Sequence, residues 1–450
     1  MELSKIKNVY LVGIGGIGMS GLARYFLKRE CRVAGYDRVS TALTTNLTQE
    51  GAKITYIDDL NQIDTTEGDK ESTLVIYTPA IPESSIILNY FRKNNYLLKK
   101  RSEVLGIISK GMFTIAVAGT HGKTTTSTLV AHILRHTGND CTAFLGGISS
   151  NYGTNALFGK NNIMVVEADE YDRSFLTLHP DISVITSMDA DHLDIYGTSA
   201  HLEESFRLFA SQLKEGGRLI HKTNLPLTGG IGYSASEEAD VCARNIRIEN
   251  AQFYFDFSGL GIEIKDIEMP LPGVHNIENA VAAIQAALYL QIPPEKIKLA
   301  IADFKGVKRR FEYVVKTKQH IYIDDYAHHP EELKACISAV KRLYPEKKLT
   351  VVFQPHLYSR TRDFANGFAE SLSLADHLIL LDIYPARELP IEGVTSAIIF
   401  DRIRSETKIL STKENALLLI SGNPPELLLT VGAGDIDLMV EPLKEIMSHV

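Results

Sequence analysis

The sequence predicts an α/β protein of three domains. The expected architecture is a Rossmann-like amino-terminal domain, a central P-loop-type ATPase domain with a mainly parallel sheet, and a carboxy-terminal Rossmann-like α/β domain. Three observations predict it. Short β-rich apolar runs alternate with helical stretches along almost the whole chain, the pattern of parallel sheets covered by helices. Two of these runs end in a glycine-rich turn that opens straight into a helix. The length of 450 residues accommodates about two to four domains at roughly 100–200 residues each.

The expected buried strands follow in order: NVYLVG (8–13), LVIYTP (74–79), FTIAVAG (113–119), IMVVEAD (163–169) and ISVITS (182–187). IYIDDY (321–326), LTVVFQ (349–354), HLILLDIY (377–384) and LLLTVGAG (427–434) complete the set. AQFYFDFSGLGIEIKD reads as a small antiparallel excursion and HNIENAVAAIQAALYL as a helix. The expected domains are residues 1–106, 107–306 and 307–450.

Composition excludes several classes. Apolar content of 44% and charged content of 23% are ordinary for a globular chain. A net charge of −8 argues against a general nucleic-acid binder, so anions must be held by local loops. Cys31, Cys141, Cys242 and Cys336 are dispersed without metal-ligand spacing, as expected for reduced, packed thiols. There is no signal-peptide pattern and no apolar run of membrane-spanning length, so the expected location is cytoplasmic.

Gly13-Ile14-Gly15-Gly16-Ile17-Gly18 follows a strand and opens a helix. Glycines there allow backbone N–H groups to approach a diphosphate, and the helix amino end favours the anion. Asp37 lies 19 residues past Gly18, at the end of the next strand, CRVAGYD, where a ribose-binding acid belongs. The residues alone leave NAD and other nucleotides open.

The second turn, Gly119-Thr120-His121-Gly122-Lys123-Thr124-Thr125, is shorter than the common G-x-x-x-x-G-K-[ST] loop but keeps its Gly-Lys-Thr core. Lys123 can reach β- and γ-phosphate oxygens, and Thr124 can offer a hydroxyl to Mg2+. Two phosphate loops weaken a dehydrogenase reading. They point to ATP on one domain and a nucleotide-bearing substrate on another. Glu167, after a strand, resembles an acid that reaches Mg2+. His192 and neighbouring acids follow the next strand. Mg2+ prefers hard oxygen ligands, so residue chemistry ranks Glu167 above His192. Arg309, Arg310, His328, His329, His356, Arg360 and Arg362 form a basic, histidine-rich set suited to carboxylate or phosphate. The late glycine turn VGAGDI reads as structural.

Together GTHGKTTT, EADE, DADHLD, HNIEN and DDYAHHP resemble the Mur ligase family, in order and over essentially the whole chain. VGIGGIGMSGLA and FQPHLYSRTRD narrow the resemblance to the branch that joins L-alanine to the lactyl carboxylate of UDP-N-acetylmuramate. A tripeptide-recycling branch shares the ATP loop but differs at the first glycine loop. The resemblance implies that Gly13 to Gly18 cradle the UDP diphosphate rather than NAD. It implies Thr124, Glu167 and His192 as Mg2+ ligands, Asn276 and Asn279 at the adenine, Arg310 at the ATP phosphates and Asp325 at the ribose. Tyr326, His328, His356 and Arg360 would surround L-alanine, with His328 a candidate base. Some relatives carry a basic residue where this chain has Leu357, and no lysine is assigned to a second metal. A monomer and a homodimer are both compatible with the sequence.

Overall fold

The computed structural model describes residues 2–63, 70–189, 196, 198–250, 252–386, 388–405 and 407–448. The first sheet contains β1 (Asn8–Val12), β2 (Arg32–Tyr36), β3 (Lys53–Thr55), β4 (Thr73–Tyr77) and β5 (Leu97–Lys100). All its pairings are parallel, in the order β3-β2-β1-β4-β5. The order reverses at β1, so the crevice at the carboxyl ends of β1 and β4 is the expected ligand position of such a sheet.

Ten strands form the second sheet: β6 (Phe113–Ala118), β7 (Thr142–Ser149), β8 (Thr154–Leu157), β9 (Ile163–Glu167), β10 (Ile182–Ile185), β11 (Arg218–Lys222), β12 (Ile231–Ser234), β13 (Val241–Glu249), β14 (Gln252–Gly259) and β15 (Ile262–Met269). Their order is β15-β14-β13-β12-β11-β10-β6-β9-β7-β8. β14 and β15 are joined by two residues, so they form the antiparallel excursion read from the sequence. β16 (Glu312–Lys316), β17 (Ile321–Asp325), β18 (Leu349–Phe353), β19 (His377–Leu381), β20 (Thr407–Ser411) and β21 (Leu427–Val431) form the third sheet. Its order is β16-β17-β21-β18-β19-β20, and only β16 runs antiparallel to its neighbour.

The chain divides into two compact units. One contains residues 1–245, 255–267 and 275–305; the other contains 246–254, 268–274 and 306–450. Residues 246–254 and 268–274 of the second expected domain therefore group with the other unit, while the first expected domain and most of the second fall in a single unit. The reason is the helix after the first glycine loop, α1 (Ile17–Lys28). Met19, Leu22, Ala23 and Phe26 repeat at helical spacing and are buried. They share one apolar core with Leu11, Ala116, Phe144, Val166 and Phe175, and so bridge the first two sheets. Arg24 on the same helix donates to Glu50 at 2.8 Å and to Asn155 Oδ1, while Asn155 Nδ2 donates to Ile17 O at 2.5 Å.

The four cysteines are buried and free. Among the described residues no helix is long and apolar enough to cross a membrane.

Candidate active site

Gly13 leaves β1 at φ +91°, and the N–H groups of Gly13 and Ile14 both donate to Tyr36 O. Ile14 is fully buried beneath Gly35, so only its backbone faces the turn. Gly16 is the N-cap of α1. The N–H groups of Ile17, Gly18 and Met19 then have no partner within the helix and remain for an anion. Asp37 stands at the end of β2 as expected, but its carboxylate is already engaged. Oδ2 accepts the Gly15 N–H at 2.7 Å and Oδ1 accepts that of Val39 at 3.2 Å. Gly15 contributes its donor to Asp37, so the backbone donors left in this turn lie further along, at the start of α1.

In the second loop, Gly119 (φ +136°) and Gly122 (φ +80°) hold left-handed conformations, and each lies where a Cβ would collide. On Gly119 it would overlap the Thr186 hydroxyl; on Gly122 it would lie 2.6 Å from Asn279 Oδ1. The loop is tied to the end of β10. Thr120 Oγ1 and Ser187 Oγ are 2.8 Å apart, and the His121 N–H donates to Ser187 Oγ at 2.8 Å. The helix Lys123–His136 follows, with Thr124 and Thr125 buried in its first turn. Asn276 and Asn279 are buried on the helix Val274–Tyr289.

The Lys123 ammonium donates to Gly119 O at 2.5 Å and to Glu170 Oε1 at 2.9 Å. Burial opposes the charge, but Glu170, Glu167 and Asp169 outweigh it and raise the lysine's pKa. The Glu170 side chain is only 1% exposed, and Tyr196 donates its hydroxyl proton to Glu170 O at 2.6 Å. Sequence reading did not single out Glu170.

Glu167 ends β9 and accepts the Gly146 N–H at 3.0 Å. A Cβ on Gly146 would overlap this carboxylate, so the glycine leaves the room it occupies. Oxygen donors from Thr124 and Glu167 suit a hard divalent cation. His192 lies outside the described residues. Among the described residues, no three His, Cys, Asp or Glu side chains form a metal cluster by themselves.

In the second unit, Arg310 lies over the Tyr326 ring at 5.1 Å. Both Asp325 oxygens accept backbone N–H groups at 2.7 Å, from Phe311 and Ala327, and fix the turn that carries Arg310. Arg309 is structural: it donates to Asp324 at 3.1 Å and to Gly432 O at 2.7 Å. The glycine turn after β21 is also held by Gln354, which accepts the Ile436 N–H at 2.9 Å.

His328 Nδ1 is 2.9 Å from Tyr326 O. A carbonyl only accepts, so Nδ1 carries the proton and Nε2 keeps its lone pair. Burial lowers this histidine's pKa, and the positive charges of Arg360 and Arg310 act in the same direction. The Tyr326 and His328 rings are 5.3 Å apart, and those of His328 and His356 6.1 Å. Arg360 lies on the short helix Tyr358–Asp363, whose N-cap, Leu357, has φ +70°. Tyr384, missed in the sequence, stacks on His356 at 5.8 Å. Tyr326, His356 and Tyr384 all follow the carboxyl ends of strands in one sheet, and that recurrence is the signal that could have found it.

A protein with two glycine turns at helix starts, one bearing Lys-Thr beside an acidic strand end, and a separate basic, aromatic α/β domain is an ATP-using ligase in outline. The chain belongs to the Mur ligase family. Residues 8–112 match the description "Mur ligase family, catalytic domain", 117–287 "Mur ligase middle domain", and 309–434 "Mur ligase, glutamate ligase domain". Within that family it is 49% identical over 449 residues, covering 100% of both chains, to the UDP-N-acetylmuramate–L-alanine ligase of Flavobacterium johnsoniae. The crystal structure of the UDP-N-acetylmuramate–alanine ligase of Thermotoga maritima superposes with TM-score 0.83 at 25% identity, covering 97% of this chain and 98% of that one. A murein peptide ligase of Psychrobacter arcticus shares the fold, with TM-score 0.71 at 20% identity and 99% of each chain covered.

Proposed function

We propose that this chain joins L-alanine to the lactyl carboxylate of UDP-N-acetylmuramate with ATP, in the cytoplasmic synthesis of peptidoglycan precursors. The observation that carries this reading is the difference between the two loops of the first unit. One has a lysine held charged for a triphosphate, and the other offers helix N–H groups to a diphosphate. Full-length similarity to the Flavobacterium johnsoniae enzyme supports the same substrates.

The substrate carboxylate attacks the γ-phosphorus in line. A new O–P bond forms, the bond to the ADP oxygen breaks, and ADP leaves. Lys123 and Arg310 stabilise the developing phosphoryl charge. Thr124, Glu167 and His192 would hold Mg2+, which supplies further charge neutralisation on the phosphates. The alanine amine then attacks the acyl carbon, the C–O bond to phosphate breaks, and phosphate leaves. His328 Nε2 takes the amine proton. Asn276 and Asn279 serve the adenine, Asp325 the ribose, and Tyr326, His356 and Arg360 the amino acid.

The test is phosphate release from ATP with UDP-N-acetylmuramate and L-alanine, with the product identified by mass. The expected product gains one alanine residue. Turnover with a murein tripeptide but not with L-alanine overturns the reading in favour of recycling. Tight NADH binding without ligation overturns it in favour of a dehydrogenase.

A further inference from the structure

We propose that Arg101 is a substrate-binding residue of the first glycine loop, supplying donors to the diphosphate of the UDP-linked substrate, with Asp169 as its positioning residue. This rests on the ligase reading and adds a residue to it. Arg101 opens the helix Arg101–Lys110 directly after β5, at the carboxyl end of the sheet that carries Gly13 to Gly18. Its guanidinium lies against the first turn of α1. A Cβ on Gly18 would overlap Arg101 Nη1 and come within 3.1 Å of Cδ and Cζ.

Arg101 Nη2 donates to Asp169 Oδ2 at 2.9 Å. Neighbouring Lys100 donates to Asp172 at 2.8 Å, and the Lys100 N–H donates to Glu103 at 2.7 Å, so the start of this helix is fixed. Asp169 and Glu170 are adjacent, and they hold one cation at each loop: Arg101 at the first and Lys123 at the second.

Electrostatics give the arrangement its purpose. A helix amino end is positive, so a cation laid across it is unfavourable until an anion arrives. Asp169 meets one edge of the guanidinium, and arginine has five N–H donors in a planar fork that matches phosphate oxygens. The first loop has no lysine of its own, and Asp37 places a carboxylate on its Gly15 N–H. A cation from another element would strengthen the hold on a diphosphate seated there, and Arg101 is already in position. The last of these glycines, Gly18, thus makes room for an arginine.

The experiment is calorimetry on the full chain with UDP, UDP-N-acetylmuramate and a non-hydrolysable ATP analogue. Arg101→Met should weaken both uridine ligands about tenfold or more, with the ATP analogue within about twofold. Arg101→Lys should recover part of the loss. Gly18→Ala, which displaces the guanidinium but keeps its charge, should reproduce the loss and covers the case in which Arg101→Met fails to fold. Asp169→Asn should weaken both uridine ligands, and Arg101→Met combined with Asp169→Asn should bind them no more weakly than Arg101→Met alone. Wild-type affinity for UDP in Arg101→Met overturns the proposal, as does equal weakening of the ATP analogue. A loss confined to UDP-N-acetylmuramate also overturns it, because the arginine would then serve the muramyl group. Wild-type protein that binds neither uridine ligand fails the ligase reading itself, and the inference falls with it.

Discussion

Lys123 in the first unit and His328 in the second are both basic, both largely shielded, and shifted in opposite directions. Burial pulls each toward its neutral form. At Lys123 three carboxylates overcome that pull and keep the ammonium. At His328 burial wins, aided by two arginines, and the imidazole stays neutral. The surroundings match the task proposed for each. Phosphoryl transfer needs a permanent cation, whereas amide formation needs a lone pair to take a proton.

The largest expected effect breaks the cationic side. Lys123→Met should lower kcat on the order of a thousandfold. It should also lower the Tm, because it removes the ammonium that neutralises the buried Glu170 carboxylate. Adding Glu170→Gln should restore the Tm without restoring turnover. If the single variant is as stable as the wild type, the ion pair is not what holds the lysine.

His328→Asn tests the neutral side and should cost about a hundredfold in kcat/KM for L-alanine. A lowered histidine pKa places the acid limb of the wild-type profile below pH ~6.5, with activity falling as pH drops through it. That limb should vanish in the variant; an unchanged profile assigns the base elsewhere.

A smaller effect separates the loops. A Cβ on Gly15 would come within 2.8 Å of Asp37 and 2.9 Å of Thr44, so Gly15→Val disturbs the protein before any ligand arrives. Gly16 has nothing closer than 3.5 Å and an ordinary φ of −64°. Gly16→Val should cost about 1 kcal/mol of stability and weaken UDP-N-acetylmuramate about tenfold or more by calorimetry. The ATP analogue should be unaffected.

Smallest is the metal requirement. Glu167→Gln keeps an acceptor for Gly146 but removes the charge. It should raise the Mg2+ concentration for half-maximal phosphate release several-fold. An unchanged requirement would make Glu167 a structural acid.

The apolar strands were legible because a buried strand is apolar on both faces, as in the interior of Ile163–Glu167 and throughout Leu427–Val431. Edge strands such as Leu97–Lys100 and Thr407–Ser411 are part-buried or exposed, and they carry no such run. The glycine loops were legible because backbone conformation demands particular residues there. Glu170, Arg101 and Tyr384 were not, because their importance lies in partners distant in sequence: Lys123 is 47 positions from Glu170 and Asp169 is 68 from Arg101. Asp37 was located correctly, yet its bond to Gly15 emerges only in the fold.

The core shared through α1 also limits how the chain can be cut and recombined. Tyr25 packs on Phe144 at 5.8 Å and on Phe158 at 6.2 Å, and Arg24 reaches Asn155. The first 112 residues are therefore not an interchangeable cassette. A chimera joined there with a relative's remaining sequence inherits half of an aromatic seam. It should aggregate or lose expression unless Tyr25, Phe144, Asn155 and Phe158 are exchanged as a set.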